Sequence, residues 1–175
     1  PVNVIRSHYN RLAHIHIADG NGSDHPFAIG ESSNNLIFDL TLSNAASAML
    51  ELYKSHFNTV VAQCSIGAGG VYVRQQSRLN TVSGLASSMA QYGVRFDDQG
   101  GTYNVFHQLT TLGNGFGLLD QYGASAQQTY SQVAFLSSVD IGLANAGSGI
   151  ALHDSANNKF TGLLLMSDNH SADCH

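Results

Sequence analysis

The stretch LIFDLTLSNAASAMLELYKSHFN, residues 36–58, decides the fold that the sequence predicts. Its opening residues alternate between apolar and polar side chains, which is typical of a half-buried β-strand. Ser43 or Asn44 then caps a predicted helix that ends near residues 56–58. The inward face of that helix follows the helical repeat and contains Ala45, Ala48, Met49, Leu52 and Tyr53. The stretch therefore predicts a strand followed by an amphipathic helix.

The segments after this stretch repeat the same element types. Residues 59–64 and 71–74 read as strands joined in a hairpin by the glycine-rich turn at 67–70. Asn80 or Thr81 caps a second predicted helix, which ends at Gly93 before a strand at 94–96. The inward face of this helix contains Val82, Leu85, Ala86 and Met89. Residues 35–98 thus have the order βαββαβ, which predicts an α+β, ferredoxin-like split βαβ sandwich.

The second half of the chain, residues 99–175, is rich in strand-forming patterns. Residues 102–106, 139–143, 150–153 and 160–166 are expected to be strands that extend the sheet as β-hairpins. Residues 125–136 are amphipathic, and a helix is slightly favoured there. No linker rich in proline or charge separates the halves, so residues 1–175 are expected to form a single domain.

Charge is scarce in this sequence and its balance is acidic. Charged residues make up 11%, with seven Lys plus Arg, twelve Asp plus Glu and a formal net charge of −5. No basic run is long enough to neutralise a series of phosphates, which disfavours nucleic acid as a partner. The longest apolar run, residues 162–166, is far shorter than the roughly 20 residues of a membrane-spanning helix. No membrane span is therefore expected.

Three features predict an extracellular, processed glycoprotein. The first residue is Pro1 rather than methionine, which indicates a processed or trimmed start. Asn21 and Asn169 each begin an Asn-x-Ser sequon. A disulfide between Cys64 and Cys174 would join the tail to the core, the alternative being a buried free thiol at Cys64.

A candidate metal site lies near the amino-terminal end. His14 and His16 are expected on one face of a strand, about 7 Å apart, with the remaining ligands drawn from Asp19, Asp24 and His25. Imidazole and carboxylate ligands suit zinc or another divalent metal. The alternative is an exposed strand face that carries polar residues without a ligand.

The segment LAHIHIADGNGSDHPFAIGE, residues 12–31, resembles the late-strand segment of sugar isomerases related to xylose isomerase and hydroxypyruvate isomerase. The resemblance implies a histidine and an acidic residue that approach a divalent metal and a sugar. It ends after Glu31, and the chain is too short for an eight-stranded barrel, so no catalytic residue is assigned from it. No G-x-S-x-G motif is present, and Cys64 lies in an apolar setting that does not activate a thiol.

These observations favour a secreted, non-enzymatic binding or assembly protein, either a toxin or effector or an oligomer subunit. The order of elements is similar to that of small secreted fungal killer toxins, as a layout only. The expected partner is a protein or glycan surface, or a second copy of the chain. One alternative is a metal-dependent hydrolase or isomerase that uses His14 and His16. The other is a structural subunit of a capsid, filament or matrix.

Overall fold

The chain is folded from short strands that stack in parallel. The computed structural model describes residues 2–17, 27–43, 50–66, 70–88, 92–97, 101–112, 116–120, 128–137, 148–152 and 156–167. Every regular element in these ranges is a β-strand, and every pair of neighbouring strands is parallel. No helix long and apolar enough to cross a membrane is found in them.

The strands belong to three sheets. The first sheet contains β1 (Val2–Ile5), β3 (Phe27–Gly30), β5 (Leu50–Tyr53), β7 (Val71–Arg74), β10 (Tyr92–Asp97), β13 (Phe116–Asp120) and β16 (Ser148–Leu152). The second contains β2 (Arg11–Ile17), β4 (Leu36–Ser43), β6 (Thr59–Ile66), β8 (Thr81–Ser83), β11 (Val105–His107), β14 (Thr129–Ser131) and β17 (Lys159–Thr161). The third contains β9 (Ala86–Ser88), β12 (Thr110–Leu112), β15 (Ala134–Ser137) and β18 (Leu164–Ser167).

Along the chain, a strand of the first sheet is followed by a strand of the second, then by a strand of the third where that sheet exists, and then by the next strand of the first. Each such set of strands is called a rung here, and it lies directly on the previous one. The molecule is therefore a β-solenoid.

The predicted α+β, ferredoxin-like sandwich over residues 35–98 is wrong, because its two helices are absent from the described residues. Within the first predicted helix, β5 buries Leu50 and Leu52 while Glu51 and Tyr53 face outward. Within the second, Val82 and Leu85 are buried on either side of Gly84, which bends the chain at φ +76°. Apolar residues three apart, as at Met49 and Leu52 and at Val82 and Leu85, fit a helical stripe, which explains the error.

The predicted hairpins are also wrong. β6 pairs with β4 and β8, and β7 pairs with β5 and β10, so the two strands at 59–66 and 71–74 lie in different sheets. Residues 129–131 and 134–137, inside the segment for which a helix was favoured, form β14 and β15. The strands predicted at 36–42, 59–64 and 71–74 are confirmed. The strand predicted at 139–143 lies outside the described residues.

The core is built from like residues stacked at the same position of successive rungs. In the first sheet Phe27, Leu50, Val71 and Val94 are register partners and are buried. At the second sheet the rings of Phe106, Tyr130 and Phe160 stack, with centroids 5.1 and 4.7 Å apart. Parallel pairing places each apolar side chain on the equivalent one of the next rung, apart from a register shift between β4 and β6 near Leu40, so the core runs along the solenoid axis.

A ladder of amide side chains follows the bend between the first and second sheets, and it is buried except at its two ends, where Asn10 is exposed and Asn158 is half-buried. Its members are Asn10, Asn35, Asn58, Asn80, Asn104, Gln128 and Asn158. The backbone N–H of each donates to the side-chain oxygen of the next, over 2.8 to 3.0 Å. Asn58 Nδ2 also donates to Asn80 Oδ1 and to the carbonyl of Ser32, each at 3.0 Å. The buried amides of the ladder are therefore satisfied by the neighbouring rungs.

A second ladder, of serine side chains, stands three residues before the amides from Asn10 to Asn80. Ser32 Oγ accepts from the Ser7 N–H at 3.0 Å, and Ser77 Oγ accepts from the Ser55 N–H at the same distance. Gly101 takes this position in the next rung, where a Cβ would lie 1.6 Å from the carbonyl oxygen of Ser77. Only glycine fits there, because the two backbones approach too closely for any side chain.

We expect the substitution Asn58→Ala to lower the free energy of unfolding by about 3 kcal/mol, because it leaves the buried N–H of Asn35 without its acceptor and removes one of the two donors to the carbonyl of Ser32. The matched control is Asn3→Ala, since Asn3 is exposed on β1. Urea unfolding of both variants measures the difference. Equal losses would show that the ladder does not stabilise the fold.

Candidate functional site

In the rungs where the structure describes them, the two side chains at the bend between the first and second sheets are exposed or half-buried. They lie between the buried serine or glycine and the buried ladder amide, as Arg78 and Leu79 lie between Ser77 and Asn80. The second of the two has a left-handed backbone in Tyr9, Asn34, Phe57, Leu79, Tyr103 and Asn157, with φ between 56° and 58°. Asparagine tolerates this conformation, whereas bulky residues rarely adopt it.

Four of these left-handed residues are large, apolar or aromatic, and exposed. Tyr9 is 82% exposed, Phe57 55%, Leu79 40% and Tyr103 50%. They contribute little to the core and occupy a backbone conformation that costs free energy. Strained residues that gain little from packing are often kept for a function, so a continuous run of such residues on adjacent rungs is a candidate site.

Three of them form a continuous patch with basic neighbours. Phe57, Leu79 and Tyr103 follow one another on adjacent rungs, through the bonds Phe57 N–H to the Arg78 carbonyl and Leu79 N–H to the Thr102 carbonyl. Strands stack about 4.8 Å apart, so the patch extends about 10 Å along the solenoid axis. We define the aromatic–basic corner as Lys54, His56, Phe57, Arg78, Leu79 and Tyr103.

The electrostatics of the corner are set by Lys54, His56 and Arg78. His56 and Arg78 are bridge partners on adjacent rungs. Partial burial, reinforced by the positive charge of Arg78, lowers the pKa of the His56 imidazole, which is therefore neutral at pH 7. The Lys54 Nζ lies 5.1 Å from the centre of the Tyr53 ring. Within the described ranges, no acidic side chain forms an ion pair with Lys54 or Arg78.

Among the described residues, the acidic side chain at this bend is that of Glu31, and it is paired with Arg6. Glu31 accepts from Arg6 Nε at 2.6 Å, and this hydrogen bond, together with the charge of Arg6, lowers the pKa of the Glu31 carboxyl. Both side chains are accessible to solvent, so the pair contributes little to stability. The charge of Lys54 makes a smaller contribution to that lowered pKa, so Glu31 offsets part of the Lys54 charge, whereas Arg78 forms no ion pair with an acidic side chain among the described residues.

A second cluster lies on the outer face of the first sheet. Tyr72 lies beneath the guanidinium groups of Arg74 and Arg95, which are 5.2 and 5.1 Å from its ring centre. Arg74 donates to Glu51 at 3.3 Å, and Arg95 donates to Asp97 at 2.9 Å. The hydroxyl of Tyr72 donates to Asp97 at 2.8 Å, and burial followed by this bond raises the pKa of Tyr72 to about 12. Each carboxylate is neutralised by an arginine, so the cluster mainly joins three adjacent strands.

The structure describes two of the five predicted metal ligands, His14 and His16. His14 and His16 are exposed on β2, and His14 has a left-handed backbone at φ 53°. His14 Nδ1 is hydrogen-bonded to Asp39, and its ring packs edge-on against Phe38. Asp19, Asp24 and His25 lie outside the described residues, and the rest of the structure contains no group of three metal-ligating side chains. The metal site stays a prediction.

The residues behind the extracellular prediction fall mostly outside the described ranges as well. Cys64 lies in β6 next to Thr41 of β4. Its proposed partner Cys174, and the sequon residues Asn21 and Asn169, are not among the described residues. The disulfide and the glycosylation sites therefore stay predictions.

Comparison with known proteins adds no functional assignment. No protein-family model, no curated protein and no solved structure matches this chain. The functional interpretation rests on the geometry of the corner.

Sequence reasoning missed the aromatic–basic corner because it missed the repeat. The pattern Ser/Gly-x-x-Asn/Gln occurs in SHYN, SSNN, SHFN, SRLN, GTYN, SAQQ and SANN, with successive amides 22 to 30 residues apart. A periodic motif of this length is typical of solenoids. Recognising this repeat would have predicted that the two middle residues of every motif lie on one outer corner of the solenoid.

Substitutions between leucine and asparagine at the second position of the bend test whether its left-handed backbone is strained. Leu79→Asn is expected to raise the free energy of unfolding by about 1 kcal/mol, because Asn adopts the left-handed backbone more readily. Asn34→Leu, at the equivalent position of another rung, is expected to lower it by a similar amount. Urea denaturation midpoints measure both. Unchanged midpoints would mean that the bend is not strained.

Proposed function

We propose that this protein is a secreted, non-enzymatic binding protein that holds a glycan chain along the aromatic–basic corner. The observation that carries the proposal is the exposed, left-handed stripe of Phe57, Leu79 and Tyr103 on adjacent rungs. An exposed aromatic ring packs against the C–H face of a sugar ring and offers a large contact area with little conformational freedom to lose.

The width of the stripe favours a glycan over a protein partner. A stable protein interface buries about 800 Å² on each side and has a broad apolar centre. The stripe is one residue wide, and its flanks carry small polar side chains such as Thr59, Thr81 and Thr102. Hydroxyl groups of this kind hydrogen-bond to sugar hydroxyls.

The regularity of the solenoid favours a polymer. Parallel strands hold the outward residues at a constant spacing of about 4.8 Å along the axis. The underlying bend is fixed by buried amide and serine ladders, so the rings are positioned before a ligand arrives. A rigid row of equivalent positions suits an extended chain of repeating units.

We expect the double substitution Phe57→Asn and Tyr103→Asn to weaken glycan binding at least tenfold, which is about 1.4 kcal/mol, because it removes both stacking rings. Asn occurs at this bend position in two other rungs, so the variant retains a compatible backbone. Binding to an array of immobilised glycans is the measurement.

The control is Tyr9→Asn, which removes an exposed aromatic residue from the same bend position beyond the intervening Asn34. It is expected to bind as the unchanged protein does. The proposal fails if the unchanged protein binds no glycan, or if the double variant binds as well as the control.

A further inference from the structure

We propose that the glycan held by the aromatic–basic corner is anionic, with carboxylate or sulfate groups that contact Lys54 and Arg78. This inference rests on the proposed function and names the chemical class of its ligand. It draws on a different observation, the distribution of basic residues in an acidic chain.

The basic residues are concentrated at one bend. The chain has seven Lys plus Arg, and three of them, Arg6, Lys54 and Arg78, lie on the bend between the first and second sheets, next to Arg11 at the start of β2. The acidic residue at this bend among the described residues is Glu31, which Arg6 holds. A local excess of positive charge therefore exists on a protein whose formal net charge is −5.

The charges of Lys54 and Arg78 are available to a ligand. Both side chains are exposed, and neither forms an ion pair within the part of the chain that the structure describes. The Arg74 and Arg95 guanidinium groups, by contrast, are paired with Glu51 and Asp97 on the face of the first sheet. An anion at the corner gains attraction from Lys54 and Arg78 without breaking an existing ion pair.

The positions of the charges relative to the stripe fit a glycan that carries isolated anionic groups. Arg78 directly precedes Leu79, and Lys54 lies three residues before Phe57, so each charge flanks one position of the stripe. Sugar rings stacked on Phe57 and Tyr103 would place substituents beside these side chains.

A nucleic acid fits the corner less well than an anionic glycan. Nucleic acids carry a phosphate at every nucleotide, and their affinity depends on neutralising many of them. Two free basic side chains on an acidic chain provide little of that neutralisation. A glycan with one carboxylate or sulfate per repeating unit needs far less.

The test uses the full chain on an array of neutral, uronate-containing and sulfated glycans, with an oligo-deoxythymidine as a competing probe. We expect binding to the uronate-containing or sulfated glycans and none to the neutral glycans or the oligonucleotide. The double variant Lys54→Gln, Arg78→Gln is expected to bind at least tenfold more weakly, and added salt is expected to weaken binding of the unchanged protein. Lys159→Gln, which removes an exposed charge from β17, is the matched control and is expected to bind normally.

The outcomes separate this inference from the proposed function. Binding of neutral glycans that requires Phe57 and Tyr103 but not Lys54 and Arg78 would leave the proposed function in place and overturn the anionic ligand. Absence of binding to every glycan would overturn both. Binding of the oligonucleotide through the same residues would overturn both in favour of single-stranded nucleic acid.

Discussion

The buried amide ladder is the constraint on which the rest of the structure depends. A chain that turns between two parallel sheets leaves backbone groups at each bend without a strand partner, and burying them unpaired is costly. In the middle of the ladder, the side-chain amides of Asn35, Asn58 and Asn80 each accept from the previous rung and donate to the next. Where glutamine replaces asparagine at Gln128, the longer side chain still accepts from the Asn104 N–H at 2.8 Å and also donates to the carbonyl of Gly101. The ladder therefore aligns the rungs and tolerates a small change of side-chain length.

The same bend explains how a fold with so little charge presents a specific surface. Because serine and amide side chains point inward, the two residues between them necessarily point outward, and neither is needed for the core. Substitution there changes the surface without altering the ladder, apart from the preference of the second position for Asn or Gly. The aromatic–basic corner uses that freedom at the expense of some backbone strain. Stability at the bend and recognition by the corner thus depend on different atoms of the same short segment.

The strands could be predicted from the sequence, but their partners could not. Alternation in residues 36–42 and the β-branched run at 59–64 identify β4 and β6 correctly, because a strand pattern is local. Pairing is set by contacts between residues more than twenty positions apart, and a single period of alternation does not distinguish a hairpin from a solenoid rung. Leu50 and Leu52 alternate as in a strand, but Leu52 also lies three residues after Met49 and four after Ala48, as in a helical stripe, so the local pattern left the choice open. The repeated Ser-x-x-Asn motif contained the missing long-range information.

The functional prediction from sequence concentrated on His14 and His16, which stand out as a motif. The corner residues do not, because Phe57, Arg78 and Tyr103 are ordinary until the repeat places them on adjacent rungs. The most direct test of the account is amide hydrogen exchange, measured by NMR, at the ladder residues Asn35, Asn58, Asn80 and Asn104. The account predicts strong protection of both their backbone N–H groups and their side-chain amides, close to that of the core strands. Exchange at the rate of free amides would contradict it, since the ladder would then not exist in solution.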